Sequence, residues 1–365
     1  MQAHDVVQQS LSLILNSQNE RGAFPSSPSY EPYRYCWFRD GSFIAYAALI
    51  SGSSESCKSF LEWGDRTICA QRPLIENLIE RQGRGECISQ TELLPSRYYS
   101  DGTPHIDESP GTQIDGFGNW LWCLGEYALR TGDHRGITAM EESVQLLRRY
   151  IEAFWKEPGA DCWEEHPEGI HPSTLASVAG GLKTVNNILG EKDIQDLVSQ
   201  ILHFVRKAAS KNGWIPKTLG TSEVDASSLM FSGFFDLFSP EELVIRTTAH
   251  EVEQQLREGG TGGVRRFLGD EYYGGGEWIF TSALLALHAL KEGKIEKAIE
   301  LRQWIENQFD SQGFLPEQIQ GPQINWEKQR HWFKKWGTPM SPNLRSHAMH
   351  LILVHEEAQY VSRLA

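Results

Sequence analysis

The stretch Trp37-Phe38-Arg39-Asp40, running into Gly41-Ser42-Phe43-Ile44-Ala45-Tyr46-Ala47-Ala48-Leu49-Ile50, sets the reading of the whole chain. An aromatic and acidic loop stands directly ahead of a segment made of small and aromatic residues at helical spacing. A more charged helical segment then follows, over about 55–82. The same alternation recurs along the chain. Chemistry-bearing loops at Gln113–Asp115, Trp163–Glu165, Asp225, Tyr272–Trp278 and Glu317 precede every second helix. Small residues let helices pack closely, and charged ones suit an outer face exposed to water. Six antiparallel helix pairs would bring the special loops to one end. This predicts an all-α fold, an (α/α)6 barrel of about twelve helices with its site at the N-termini of the inner helices.

The helices are expected over 4–18, 40–52, 55–82, 112–131, 138–156, 173–189, 191–210, 225–238, 240–258, 277–292, 294–309 and 343–362. Ser239-Pro240 reads as a cap with proline in the first turn, and Gly132 and Gly293 read as stops. Alternating β-branched runs are scarce. No Pro/Gly/Ser linker divides the sequence, so residues 1–365 read as a single domain.

Composition bounds the partners. The chain has 365 residues, 40% hydrophobic and 22% charged, which suits a soluble globular protein. A net charge of −14 without a basic cluster argues against a nucleic-acid backbone as partner. No run of 18 uncharged apolar residues offers a membrane span. The opening MQAHDVVQQSLSLIL has no basic segment or cleavage site of an export signal. Cys36, Cys57, Cys69, Cys87, Cys123 and Cys162 have no zinc spacing, and a reduced cytoplasmic protein is expected. No metal or cofactor is expected, and a monomer is favoured.

Two acidic motifs carry the chemistry: Trp163-Glu164-Glu165 and Leu315-Pro316-Glu317-Gln318. Glu164 beside an indole would be desolvated and so able to hold a proton. A second, ionised carboxylate at a distance completes the pair needed to cleave a glycosidic bond. The 12 tryptophans agree, since sugar rings offer apolar faces to stack on. Each motif also has a plain alternative. Glu164-Glu165 could be a solvated pair ahead of a helix, and Glu317 a surface glutamate. Arg39-Asp40 and Asp115 could be helix-capping charges. The glycines of Tyr272-Tyr273-Gly274-Gly275-Gly276 could form an ordinary loop; without a following Lys and Ser/Thr they are no phosphate loop. His347 and His350 read as packing or hydrogen-bonding groups.

Taken in order, these segments resemble glycoside hydrolase family 15, the glucoamylase and glucodextranase family, from about residue 30 to 350. The resemblance rests on Tyr35-Cys36-Trp37-Phe38-Arg39-Asp40, Gln113-Ile114-Asp115-Gly116, Trp163-Glu164-Glu165 and Asp225-Ala226-Ser227. It continues through Arg266-Phe267 with Asp270, Tyr272, Gly274-Gly275 and Trp278, then Glu317-Gln318 and Ser346-His347-Ala348. It implies hydrolysis of terminal α-glucosidic bonds with inversion and no cofactor. Glu164 would be the acid and Glu317 the base. Trp37, Arg39, Asp40, Glu165 and Arg266 would hold the terminal glucose, with Asp115, Trp163, Tyr273 and Trp278 as further substrate-binding candidates. Carboxyl groups about 6.5–9.5 Å apart are expected for an inverting pair.

The chain departs from the family in several places. It shows neither an N-terminal β-sandwich nor a starch-binding module. Glu277 and Arg345 stand where the family often has Pro and Trp, and Pro104-His105-Ile106-Asp107-Glu108-Ser109 lacks a tryptophan. In the family these positions lie near the leaving-group sugars. The expected substrate is a short soluble oligosaccharide: isomaltose or isomalto-oligosaccharides first, maltose-type chains and trehalose next. Two rivals remain. One is a disaccharide phosphorylase on the same barrel, which would need an anion site where the base stands. The other is a non-catalytic sugar-binding or regulatory barrel.

Overall fold

The structure, a computed structural model, describes residues 3–106 and 112–364. Asp107, Glu108 and Ser109 of the tryptophan-free segment lie outside the described residues. Helices dominate, and the only strand pairs among the described residues are two short antiparallel ones, Cys36–Trp37 with Arg97–Tyr98 and Val264–Arg265 with Glu277–Trp278. No helix among the described residues is long and apolar enough to cross a membrane.

The chain divides by packing into two compact units. The first comprises residues 17–26 and 35–205. Its helices Phe38–Ile50, Asp115–Thr131 and Pro172–Leu189 are buried nearly throughout, while Ser54–Ala70 and Glu141–Phe154 bury only one face. This is the inner and outer distinction that small against charged composition predicts. The helix Asp115–Thr131 meets Pro172–Leu189 backbone to backbone. A Cβ on Gly118 would stand 2.5 Å from the Ser177 carbonyl, and one on Gly181 would stand 2.1 Å from Gly118 O. Glycine at both positions therefore sets the helix separation. Gly181→Ala should destabilise the fold, although alanine is the better helix former by about 1 kcal/mol. Forcing a methyl against backbone costs about 1–3 kcal/mol or more. Urea denaturation should show a lower midpoint, and an unchanged midpoint would contradict the contact.

The second unit comprises residues 1–16, 27–34 and 206–365. The buried helix Ile279–Lys291 packs against Ile295–Glu306 and Leu344–Leu364. The early helix Ala3–Ser17 is tied to the last one, Ser10 Oγ lying 2.8 Å from His347 Nδ1.

Four local expectations need correction. The segment 55–82 is two helices, Ser54–Ala70 and Arg72–Gly83. Pro73 cannot donate to the preceding turn, so it opens a new helix in the first turn. The segment 225–238 is a 3-10 turn, Ala226–Leu229, followed by a π turn, Met230–Phe234. The wide turn brings Ser232 Oγ to 2.9 Å from His288 Nδ1 and lays Gly233 against the backbone of His288 and Leu284. Ser239-Pro240 does not open its helix, which begins at Leu243. A further helix, Trp326–Trp336, lies where none is expected; Asn325 caps it by accepting from Glu327 N and Lys328 N, both at 3.1 Å.

Candidate active site

Within the first unit the motif residues meet at helix starts. Trp37 is the last residue before the helix Phe38–Ile50, Arg39 and Asp40 lie in its first turn, and Asp115 begins another helix. Arg39 is buried, and its guanidinium is the hub. It donates to Gln113 Oε1 at 2.6 Å and Asp115 Oδ2 at 3.0 Å, and lies 3.4 Å from Glu164 Oε1 and 3.7 Å from Asp40 Oδ1. Burial works against its charge. The carboxylates of Asp115, Asp40 and Glu164 outweigh it and raise the guanidinium above its ordinary pKa. Ser26 Oγ donates to Asp40 Oδ2 at 2.7 Å.

Glu164 owes its place to Asp161. The buried Asp161 Oδ1 accepts from the backbone N–H of Trp163 at 2.9 Å and of Glu165 at 3.0 Å. Two backbone bonds close the same turn, Asp161 N to Glu165 O and Glu164 N to Asp161 O. A turn this tight holds Glu164 at φ 67° and His166 at φ 54°, the left-handed region that side chains rarely adopt. His171 Nε2 lies 2.8 Å from His166 O, beyond the acidic pair. The Glu164 side chain is 27% exposed. Its Oε1 accepts from Trp37 Nε1 at 2.5 Å and from Arg39. Instead of an indole face alone, Glu164 thus has an indole N–H and a guanidinium. A protonated Glu164 keeps both contacts, because Oε1 can accept as the carbonyl oxygen while Oε2 carries the proton. Trp163 is buried, and Glu165 is half-buried with its backbone locked into the Asp161 turn.

Within the second unit Glu317 is buried. Its N–H donates to Met340 O at 2.9 Å, and its Oε1 lies 3.6 Å from an Arg345 terminal nitrogen. The flanking chain is fixed from both sides. Gln318 pairs with Trp278 as an isolated bridge, and its side chain donates to Tyr272 O at 2.9 Å. Leu315 N donates to His347 Nε2 at 3.0 Å. His347 is therefore neutral and donates from Nδ1 to Ser10; burial, then the neighbouring His350, push its pKa down to about 3.

Close to Glu317 the hydroxyls of Tyr33 and Tyr272 are 2.7 Å apart. Burial, then Tyr33 and Glu317, hold the Tyr272 phenol well above its ordinary pKa, so it stays a donor. Tyr273, at φ 50°, instead sends its hydroxyl to Thr338 O at 3.3 Å and packs beside Trp332. Arg266 is buried and forks onto Asp270 at 2.8 and 2.5 Å, with its guanidinium 4.8 Å from the Trp278 ring centroid. Asp225 accepts from Ser227 N at 2.7 Å and pairs with the buried Lys217 at 3.4 Å, while Ala226 N holds Arg266 O at 3.0 Å.

Glu277 does not face this cluster. It is fully buried, and its carboxylate takes the N–H groups of Thr261 at 2.9 Å and Gly262 at 3.2 Å and the Thr261 hydroxyl. It anchors a glycine-rich loop. Sequence reasoning singled out Arg39, Asp40, Asp115 and Glu164, which the first unit brings together, and Arg266, Trp278 and Glu317 of the second. It did not pick out Asp161, Tyr33 or Lys217, and it named Tyr272 within its motif without giving it a role. For Asp161 a signal existed, an aspartate two residues ahead of Trp163; for Tyr33 none did. Among the described residues, no group of three His, Cys, Asp or Glu side chains is placed to hold a metal ion.

The family profile described as Glycosyl hydrolases family 15 matches residues 1–332. An isomaltose glucohydrolase of Kribbella flavida is 34% identical over 360 residues, 97% of this chain and 92% of the relative. A solved glycosidase variant in complex with glucose superposes with a TM-score of 0.91 at 33% identity, covering 97% of this chain and 96% of the other. A bacterial glucoamylase complexed with acarbose, at 17% identity, shares the fold with a TM-score of 0.73 over 97% of this chain and 55% of its own. The fold class is therefore the expected one, all-α and an (α/α)6 barrel.

Proposed function

Because the chain belongs to glycosyl hydrolase family 15 and is a glycoside hydrolase, we propose that it is an inverting, exo-acting α-glucosidase. It releases β-glucose from the non-reducing end of short α-glucosides, with isomaltose or isomalto-oligosaccharides as the first choice. The similarity to an isomaltose glucohydrolase supports that choice of substrate. The reading takes the enzyme to act on soluble substrates inside the cell.

The observation that carries the chemistry is the arrangement of contacts at Glu164. One carboxyl oxygen is filled by Trp37 and Arg39, which leaves the other for a transferable proton. In this reading Glu164 gives that proton to the glycosidic oxygen as the bond from C1 breaks. Glu317 takes a proton from a water that attacks C1 on the opposite face of the sugar. The Arg39–Asp40 pair holds sugar hydroxyls, and Trp37 and Trp278 offer aromatic faces. Arg266, locked on Asp270, presents a fixed set of donors. In the same reading Tyr272, kept protonated and bonded to Tyr33, holds the water's oxygen for Glu317.

Proton NMR of isomaltose hydrolysis tests this directly. The first anomeric signal from the released sugar should be that of β-glucose, before mutarotation sets in. An initial α-anomer would mean retention, and both assigned roles would be withdrawn.

A further inference from the structure

Arg345 is one of the family departures, and the reaction as derived gives it no task. It is 5% exposed, in the first turn of the helix Leu344–Leu364. Its guanidinium lies 4.9 Å from the Phe280 ring centroid. A cation so far from water must be compensated by an anion, and Glu317 Oε1 stands 3.6 Å away.

The same turn of helix grips the segment that carries Glu317. Asn343 N donates to Leu315 O at 2.9 Å, Ser346 Oγ donates to Pro316 O at 2.8 Å, and His347 Nε2 accepts from Leu315 N. Those three bonds fix backbone; Arg345 reaches the carboxylate itself. The phenols of Tyr272 and Tyr273, which feel the Glu317 charge from the loop before Trp278, are both raised above the ordinary value chiefly by burial and stay neutral. His347, next along the gripping turn, is neutral as well.

We infer that Arg345 is a positioning residue for the base, fixing the direction of the Glu317 carboxylate and favouring its ionised form. This rests on the reading of Glu317 as base. The opposite charge stabilises the ionised form. It also restricts the rotation of a side chain that must aim one lone pair at a water. The role differs from a leaving-group contact, which would matter only when the leaving group is a sugar.

The test compares Arg345→Met and Arg345→Lys with the wild type on isomaltose and on α-glucosyl fluoride, as kcat and kcat/KM against pH. In Arg345→Met the acidic limb of kcat/KM should move up by about one pH unit or more. At the wild-type optimum kcat should fall about tenfold or more on both substrates, because both need the base. KM should change less than kcat, and Arg345→Lys should restore most of the limb. If the methionine variant does not fold, Arg345→Gln, neutral and polar, carries the same comparison. An unmoved limb in a folded neutral variant would overturn the inference, as would a loss confined to isomaltose. A wild type inactive on both substrates would instead remove the reading of Glu317 on which it stands.

Discussion

Glu164→Gln is expected to lower kcat for isomaltose by about 10²–10⁴-fold, with a much smaller change in KM. The substitution is close to isosteric, and its amide oxygen can still accept from Trp37 and Arg39. The turn that sets Glu164 at φ 67° is made by the Asp161 carboxylate and by backbone groups, none of which the substitution touches. What disappears is the proton on the second oxygen. An alkoxide leaving group cannot depart readily without it, whereas fluoride can. Turnover of α-glucosyl fluoride should therefore fall far less than that of isomaltose. Steady-state kinetics on the two substrates check this, and near-normal isomaltose hydrolysis would remove Glu164 from the role of acid.

The second large effect is on stability. Arg39→Met should destabilise the fold by about 3–5 kcal/mol, the usual result of removing one partner from a buried charge network. Asp115 is fully buried and Asp40 nearly so, and both would lose the cation they share. Gln113 would lose its donor as well. Methionine keeps the apolar stem of arginine, so the loss is electrostatic more than a matter of packing. Urea denaturation at pH 7 measures the loss. A variant within about 1 kcal/mol of the wild type at pH 7 would show that the network is not structural. Activity should be lost together with stability, since the same guanidinium holds Glu164 and Asp40.

The inner helices were legible because their composition is a direct consequence of where they lie. A helix buried on all sides that touches another at Gly118 and Gly181 must be built of small and apolar residues. The stops at Gly132 and Gly293 were legible too: both adopt the left-handed φ that favours glycine. The helix Trp326–Trp336 was not. Its apolar residues are Trp326, Trp332, Phe333 and Trp336, set among lysines and arginine, and they leave no regular aliphatic stripe to read. The turn at Met230–Phe234 follows from a tertiary contact, Ser232 with His288, that no local pattern encodes.

For the site, residues next to a tryptophan or at a helix start stood out. Tyr33 acts through a partner 239 positions away and does not announce itself locally, whereas Asp161 stands two residues ahead of Trp163 and holds its N–H. Glu277 shows the converse: a conspicuous carboxylate whose oxygens are taken up by a loop.

The bond between Ser10 and His347 joins residues 337 positions apart, and the unit that contains it is assembled from three separate stretches of chain. The other unit ends at Val205. At about 5–20 residues per second, synthesis delivers the helix Ala3–Ser17 tens of seconds before Leu344–Leu364 exists to receive it. Val6 and Ile14 are buried in the finished fold, and Ser10 between them has no His347 to meet during that interval. The period of greatest exposure to aggregation and to chaperone capture is set by the ribosome's schedule, and it closes only when the turn that grips the Glu317 segment has been made.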